Sequence, residues 1–232
     1  MTAELIIHLV RHAETSSYAG DVGLTEAGTR QAEMRARLLA SSLHEDERVE
    51  LVYAPTERAR LTAAVLHETL RRESGPRLRI GGCREDADFR NFQVRVDGEE
   101  LEPTQARRRL AEARDDQGWA VEAARFWQAH DDLGGAIKFW LTTPLLWHEP
   151  PASVVRRFLL AAARHTTNSA HDGHLVVSTH SGCMRALVAW AAGEDRGEPD
   201  NVEEVLLSAD PMTGRASVHY RGGAWAGPLP TA

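Results

Sequence analysis

The chain has 232 residues, enough for one domain that buries roughly 70–75% of its unfolded surface and needs no disulfide or metal to fold. Apolar residues make up 42% and charged residues 26%, which excludes wholesale disorder. The net charge of −7 argues against a dedicated nucleic-acid binder, yet a small phosphorylated substrate needs only a few well-placed arginines.

Residues 5–10, with Ile6, Ile7, Leu9 and Val10, read as a strand buried on both faces, hence central and parallel. The strand stops at Arg11-His12. A helix opens at 24–28 with Thr25 as its N-cap, and Ala32, Leu38, Leu39 and Leu43 continue it at helical spacing. Residues 51–53 form a second strand, ended by Ala54-Pro55, and a helix runs over 56–72. Residues 78–80 form a weak third strand ahead of Gly81-Gly82. Residues 174–179 are another buried strand, 181–192 a helix, and 204–208 and 216–221 late strands. The tail, with Gly227, Pro228 and Pro230, is expected to be loose.

Strands alternating with helices imply an α/β fold, a three-layer α/β/α sandwich around a mostly parallel sheet. Residues 84–150 break the rhythm. They carry helical stretches at 104–114 and 120–130 and four of the six tryptophans, Trp119, Trp127, Trp140 and Trp147. They read as a helical cap inserted into a single domain spanning 1–232. The cap aromatics Phe126, Trp127, Phe139 and Trp140 are expected to pack cap helices on the sheet, with a substrate wall as the other reading.

The two cysteines, Cys83 and Cys183, make no disulfide framework and have no zinc spacing, so a reducing cytoplasm is the expected location. Glu4, with no basic stretch ahead of the first apolar run, argues against a signal peptide. No apolar run approaches the ~18–20 residues of a membrane span.

Ligands in open α/β sheets bind beyond the carboxyl ends of strands. Arg11-His12 and His180 each follow a buried strand directly, and Arg58 lies near a helix start at the same edge. Two imidazoles and two guanidiniums there make a pocket for a tetrahedral dianion, and a neutral imidazole nitrogen can attack phosphorus. His8 and His12 lie four apart, but on a strand that spacing spans ~13 Å, so no metal pair is expected. His165, His171 and His174 are expected at the solvent. Other chemistries lack their motifs. Six residues after Cys83 and Cys183 stand Phe89 and Ala189, not the arginine a cysteine phosphatase needs. The aspartate motif at 86–90 ends in Arg90, and neither a G-x-S-x-G elbow nor a phosphate-cradling glycine loop occurs.

The segment Leu9-Val10-Arg11-His12-Ala13-Glu14-Thr15 resembles the signature of the histidine phosphatase superfamily, the phosphoglycerate-mutase-like enzymes of the branch 1 type. Leu24-Thr25-Glu26-Ala27-Gly28 with Gln31-Ala32 is similar to its "LTExGxxQA" helix start. Residues 54–63, with Arg58-Ala59 and Thr62-Ala63, resemble its "SPxxRAxxTA" segment, and 177–187 its second-histidine segment. The resemblance implies His12 as nucleophile, with Arg11, Arg58 and His180 holding the phosphoryl group. The family's proton donor lies in a segment like "LREQDFGNFQ". Residues 83–93 fit it with one extra residue, which makes Glu85 the expected acid and leaves Asp86 and Asp88 as competitors. Ala13, Tyr18 and Ser181 depart from the family's usual glycine, asparagine and glycine. With the short loop before Leu24, they weigh against a mutase.

The expected activity is therefore metal-independent hydrolysis of a small phosphorylated metabolite through phosphohistidine, without cofactor, metal, nucleic acid or membrane. The alternatives are a phosphoglycerate-type mutase and a non-catalytic phosphate-binding protein. The sequence carries no signal for oligomeric state.

Overall fold

The computed structural model describes residues 5–17, 20–113, 117–131, 135–168 and 173–230. β1 (Leu5–Arg11) pairs in parallel with β6 (Gly173–Thr179), β6 with β2 (Arg48–Tyr53), and β2 with β3 (Arg79–Glu85). Beyond β1 the sheet turns antiparallel through β7 (Glu204–Asp210), β8 (Arg215–Tyr220) and β9 (Gly223–Pro228). The strand order is β3-β2-β6-β1-β7-β8-β9. Every residue of β6 is buried, as a parallel strand covered on both faces requires.

Side chains on β1 alternate between two cores. Leu5, Ile7 and Leu9 join α6 (Pro151–Asn168) and α7 (Ser181–Ala192), while Val10 joins α1 (Glu26–Ser42) and α2 (Glu57–Ser74). Helices thus cover both faces and make the three-layer sandwich. The Thr25 hydroxyl accepts the Gly28 amide at 2.9 Å and caps α1 as expected. Leu38, expected on the buried face, is exposed; it sits about 100° around the helix from buried Leu39.

Two elements of the main sheet differ from the sequence reading. β3 runs through Gly81-Gly82 and does not stop before them. Val49 pairs with Ile80 and Leu51 with Cys83, so the two glycines oppose Glu50 alone in a bulge. The tail is not loose. Its β9 closes the sheet against β8, and Gly227 lies under Trp190, where a Cβ would sit 2.7 Å from the indole.

Between β3 and α6 come a hairpin, β4 (Val94–Val96) and β5 (Glu99–Leu101), and three helices, α3 (Pro103–Leu110), α4 (Gly118–Asp131) and α5 (Gly135–Thr142). Val94, Val96, Ala106, Trp119 and Ala123 pack into a small core of their own. Phe92 stacks on Trp140 at 4.3 Å and ties these helices to the main core.

His165 and His174 are not at the solvent. His165 Nε2 lies 2.7 Å from Asp86 Oδ2, and His174 is buried between His8 and Glu47. His8 Nδ1 in turn meets Glu204 Oε2 at 2.9 Å. Burial draws these polar groups into pairs because an unpartnered one would carry a desolvation cost. His171 and Tyr18 lie outside the described residues. Among the described residues no helix is long and apolar enough to cross a membrane.

Candidate active site

β1 and β6 end side by side, with Arg11 opposite Thr179. The His12 amide extends the ladder by one bond, donating to the Thr179 carbonyl at 2.9 Å. His12 and His180 therefore leave the sheet at the same edge, their rings edge to face with centroids 5.5 Å apart. Arg11 and Arg58, in the first turn of α2, join them. All four side chains line one cleft of about 110 Å³.

His12 is 3% exposed, and its Nδ1 lies 2.9 Å from the Ala13 carbonyl oxygen. A carbonyl can only accept, so Nδ1 carries the proton and Nε2 the lone pair. Burial, then the charge of Arg58, push the His12 pKa down from 6.5 to about 3, against the pull of the Ala13 bond. The ring is neutral at any ordinary pH. His180 is held well below its usual value by the same two causes. Arg58 Nη2 donates to His180 Nδ1 at 3.3 Å, which leaves the His180 proton on Nε2, facing Thr56 Oγ1 at 3.4 Å.

Side chains from three elements pin the loop that carries His12. Thr62 Oγ1 accepts the Ala13 amide at 3.0 Å, Gln31 Oε1 accepts the Glu14 amide at 3.1 Å, and Asn201 Nδ2 donates to the His12 carbonyl at 2.9 Å. Gly28 lets α1 approach this loop, since a Cβ there would stand 2.2 Å from the Glu14 carbonyl oxygen. The motif residues Gly28, Gln31 and Thr62 thus act on the backbone around His12.

Arg58 is 2% exposed. Its Nη1 donates to Asp21 Oδ1 at 3.1 Å and its Nη2 to Glu102 Oε1 at 2.5 Å. Its Nε is buried with no partner among the described residues. Glu102 also accepts Asn91 Nδ2 at 2.7 Å, the Thr104 amide at 2.8 Å and the Thr104 hydroxyl, capping α3. Arg11 Nη1 donates to the Pro199 carbonyl and lies 3.4 Å from Glu198 Oε1.

The structure does not bring Glu85 to this cleft. Glu85 ends β3 with an exposed side chain and is not among the lining residues. Asp86 caps the turn at 87–89, accepting the Asp88 amide at 3.0 Å, and pairs with Arg164 and His165 of α6. Burial raises the Asp86 carboxyl, but His165, the Asp88 amide and Arg164 outweigh it and bring it to about 2. Asp88 pairs with Arg164. The extra residue in this segment is spent on the turn and on α6, and among the described residues the carboxylates that line the cleft are Glu102 and Glu198. Sequence reasoning missed both, along with Asp21, Asn91 and Asn201. Only Glu102 had a readable signal: Glu102-Pro103-Thr104-Gln105 carries a capping box with proline at the first helical position.

Phe126 and Trp127 line the cleft, whereas Trp140 is buried in the main core and Phe139 packs against it. The cap aromatics therefore divide between the two readings.

Residues 7–79 match the histidine phosphatase superfamily (branch 1). Among solved structures, the chain is similar to a mycobacterial hydrolase at 18% identity, covering 99% of this chain and 100% of that one with a TM-score of 0.53. It is similar to a mycobacterial glucosyl-3-phosphoglycerate phosphatase complexed with VO3 at 21% identity, covering 89% and 92%, TM-score 0.53. It is also similar to phosphoglycerate mutase from Bacillus anthracis at 14% identity, covering 98% and 93%, TM-score 0.52. At these identities the likeness is one of fold. No curated protein matches the chain.

Proposed function

We propose that this member of the histidine phosphatase superfamily, matched to it over residues 7–79, is a metal-independent phosphomonoesterase working through phosphohistidine at His12. The observation that carries the reading is the state of His12. Its Nδ1 proton is spent on the Ala13 carbonyl, its ring is neutral, and its neighbours in the cleft are Arg11, Arg58 and His180. Guanidinium forks match phosphoryl oxygens, and fixed donors stabilise the charge that spreads over them in the transition state. Nε2 of His12 attacks phosphorus while the bond to the ester oxygen breaks. That oxygen leaves with the electron pair and takes a proton from water. The hydroxide left behind attacks the phosphohistidine as the P–N bond breaks and its electron pair returns to Nε2, releasing inorganic phosphate and the neutral ring.

A radiolabelled phosphomonoester tests this. The expected results are an acid-labile label on the chain, absent in His12→Ala, and inorganic phosphate as product, both unchanged in EDTA and blocked by vanadate. An isomerised ester in place of free phosphate would make the chain a mutase. Label without turnover would make it a phosphate-binding protein. Loss in EDTA restored by Mg²⁺ would end the metal-independent reading.

A further inference from the structure

We infer that the cleft takes a phosphomonoester with one phosphate on an apolar alcohol, an inference that rests on the phosphatase reading above. The cleft has two sides built from different elements. Arg11, His12, Arg58 and His180 come from strand ends and helix starts at the sheet edge. The rest of the lining includes Phe92, Pro103, Phe126, Trp127 and Ile137, from the segment between β3 and α6.

That apolar side is held in place by its own packing. Phe92 and Phe126 are 1% and 2% exposed, held by the stack on Trp140 and by an edge contact between their own rings at 5.8 Å. Trp127 meets Phe126 edge-on at 5.3 Å and carries the Arg107 guanidinium 4.3 Å above its ring. A fixed wall spares the ligand the cost of ordering side chains. The lining carboxylates set the charge rule. Glu102 bonds Arg58, and Glu198 lies between Arg11 and Arg185, 3.2 Å from Arg185 Nη1. The lining holds Arg11 and Arg58 and no other arginine or lysine among the described residues, and each of the two already faces a carboxylate, so a second phosphate on the substrate would find no guanidinium of its own in the lining.

The test compares ethyl phosphate, hexyl phosphate and hexane-1,6-diyl bisphosphate, followed by phosphate release. All three share a primary alkoxide leaving group, so differences report on the wall. Each methylene taken out of water is worth roughly fourfold, so four set a ceiling of roughly 200-fold. The expected kcat/KM for hexyl over ethyl phosphate is at least about tenfold, with the bisphosphate at least about tenfold below hexyl phosphate. Trp127→Ala and Ile137→Ser should each narrow the hexyl-to-ethyl ratio to below about threefold. Ile137 is only partly buried, so its variant serves if Trp127→Ala unfolds. A native ratio near one, a bisphosphate as good as hexyl phosphate, or a ratio unmoved in the folded variants would overturn the inference. Phosphate release from none of the three would instead remove the phosphatase reading beneath it.

Discussion

Thr62 offers a sharp test of how the loop around His12 is held. It is fully buried on α2, where its hydroxyl accepts the Ala13 amide at 3.0 Å and donates to the Arg58 carbonyl at 2.7 Å. Thr62→Val keeps the volume and the branch at Cβ and removes only the hydroxyl. The Arg58 carbonyl keeps its helical acceptor role, but the Ala13 N–H is left buried without a partner. That costs about 1–3 kcal/mol. In a chain of this size each kcal/mol moves Tm by about 2–4 °C, so a mid-range loss lowers it by about 4–8 °C. The Ala13 carbonyl that orients His12 belongs to the same residue, so the ring loses its aim as well. Misplacing an attacking atom by 1 Å can cost about 10²-fold, and a fall of about 10–100-fold in kcat/KM is expected. Thr62→Ser restores the hydroxyl and should recover most of both. Thermal unfolding by circular dichroism and phosphate release from hexyl phosphate read the two effects. If Thr62→Val matched the native protein in both, or if serine behaved like valine, the hydroxyl would not be the pin.

Gly28→Ala should cost about 1–3 kcal/mol of stability and so lower Tm by about 2–12 °C, although alanine is the better helix former, because its Cβ would meet the Glu14 carbonyl oxygen. A rise in Tm in a calorimetric scan would contradict the close approach. Glu85→Gln should leave phosphate release from an alkyl phosphate within about twofold, since its side chain is exposed and outside the cleft lining. A loss of about 10²-fold or more would return the acid role to Glu85. The pKa of His12 is lower in the fold than in the unfolded chain, so the unfolded chain binds the extra proton. The stability is present above pH 6.5 and is lost as pH falls towards 3, about 2 kcal/mol from His12 alone at pH 5. His180 shifts in the same direction and adds to the loss. Chemical denaturation at pH 8 and pH 5 should show the drop, His12→Gln should reduce it, and a flat profile would refute the assignment of neutral rings.

The parts of this fold that were legible are those whose residues carry the signal locally. β6 and β1 sit in mostly apolar runs because both faces of the sheet are covered, and α7 begins and ends where the sequence indicates, with Gly193 in the left-handed region behind it. β3 was cut short because paired glycines usually punctuate, whereas here a bulge opposite Glu50 absorbs them. β9 was unreadable for a different reason. Gly-Ala-Trp-Ala-Gly-Pro carries little strand propensity, and its order comes from β8 and from Trp190 on α7.

The site divides in the same way. His12, Arg11, Arg58 and His180 could be found because each flanks a recognisable strand or helix start. Glu102, Asn91 and Asn201 act through partners 11 to 189 positions away, and no local pattern announces such a pairing. Glu85 was expected in the cleft and lies outside its lining because one extra residue between β3 and Phe89 can be spent on either side of the turn. The sequence does not say that Asp86 will cap it and turn to His165.

Glu102 has a consequence for anyone who would remodel this protein. The same carboxylate that starts α3 also grips Arg58 at the sheet edge. The segment over the cleft is therefore not an interchangeable accessory. A transplanted segment without an acid at this point would leave Arg58 with Asp21 as its one carboxylate and His180 as its other partner among the described residues, and Asn91 without this acceptor. Retargeting the enzyme by grafting would succeed only for donors that carry their own anchor for that guanidinium, which makes one glutamate the compatibility rule between the two halves.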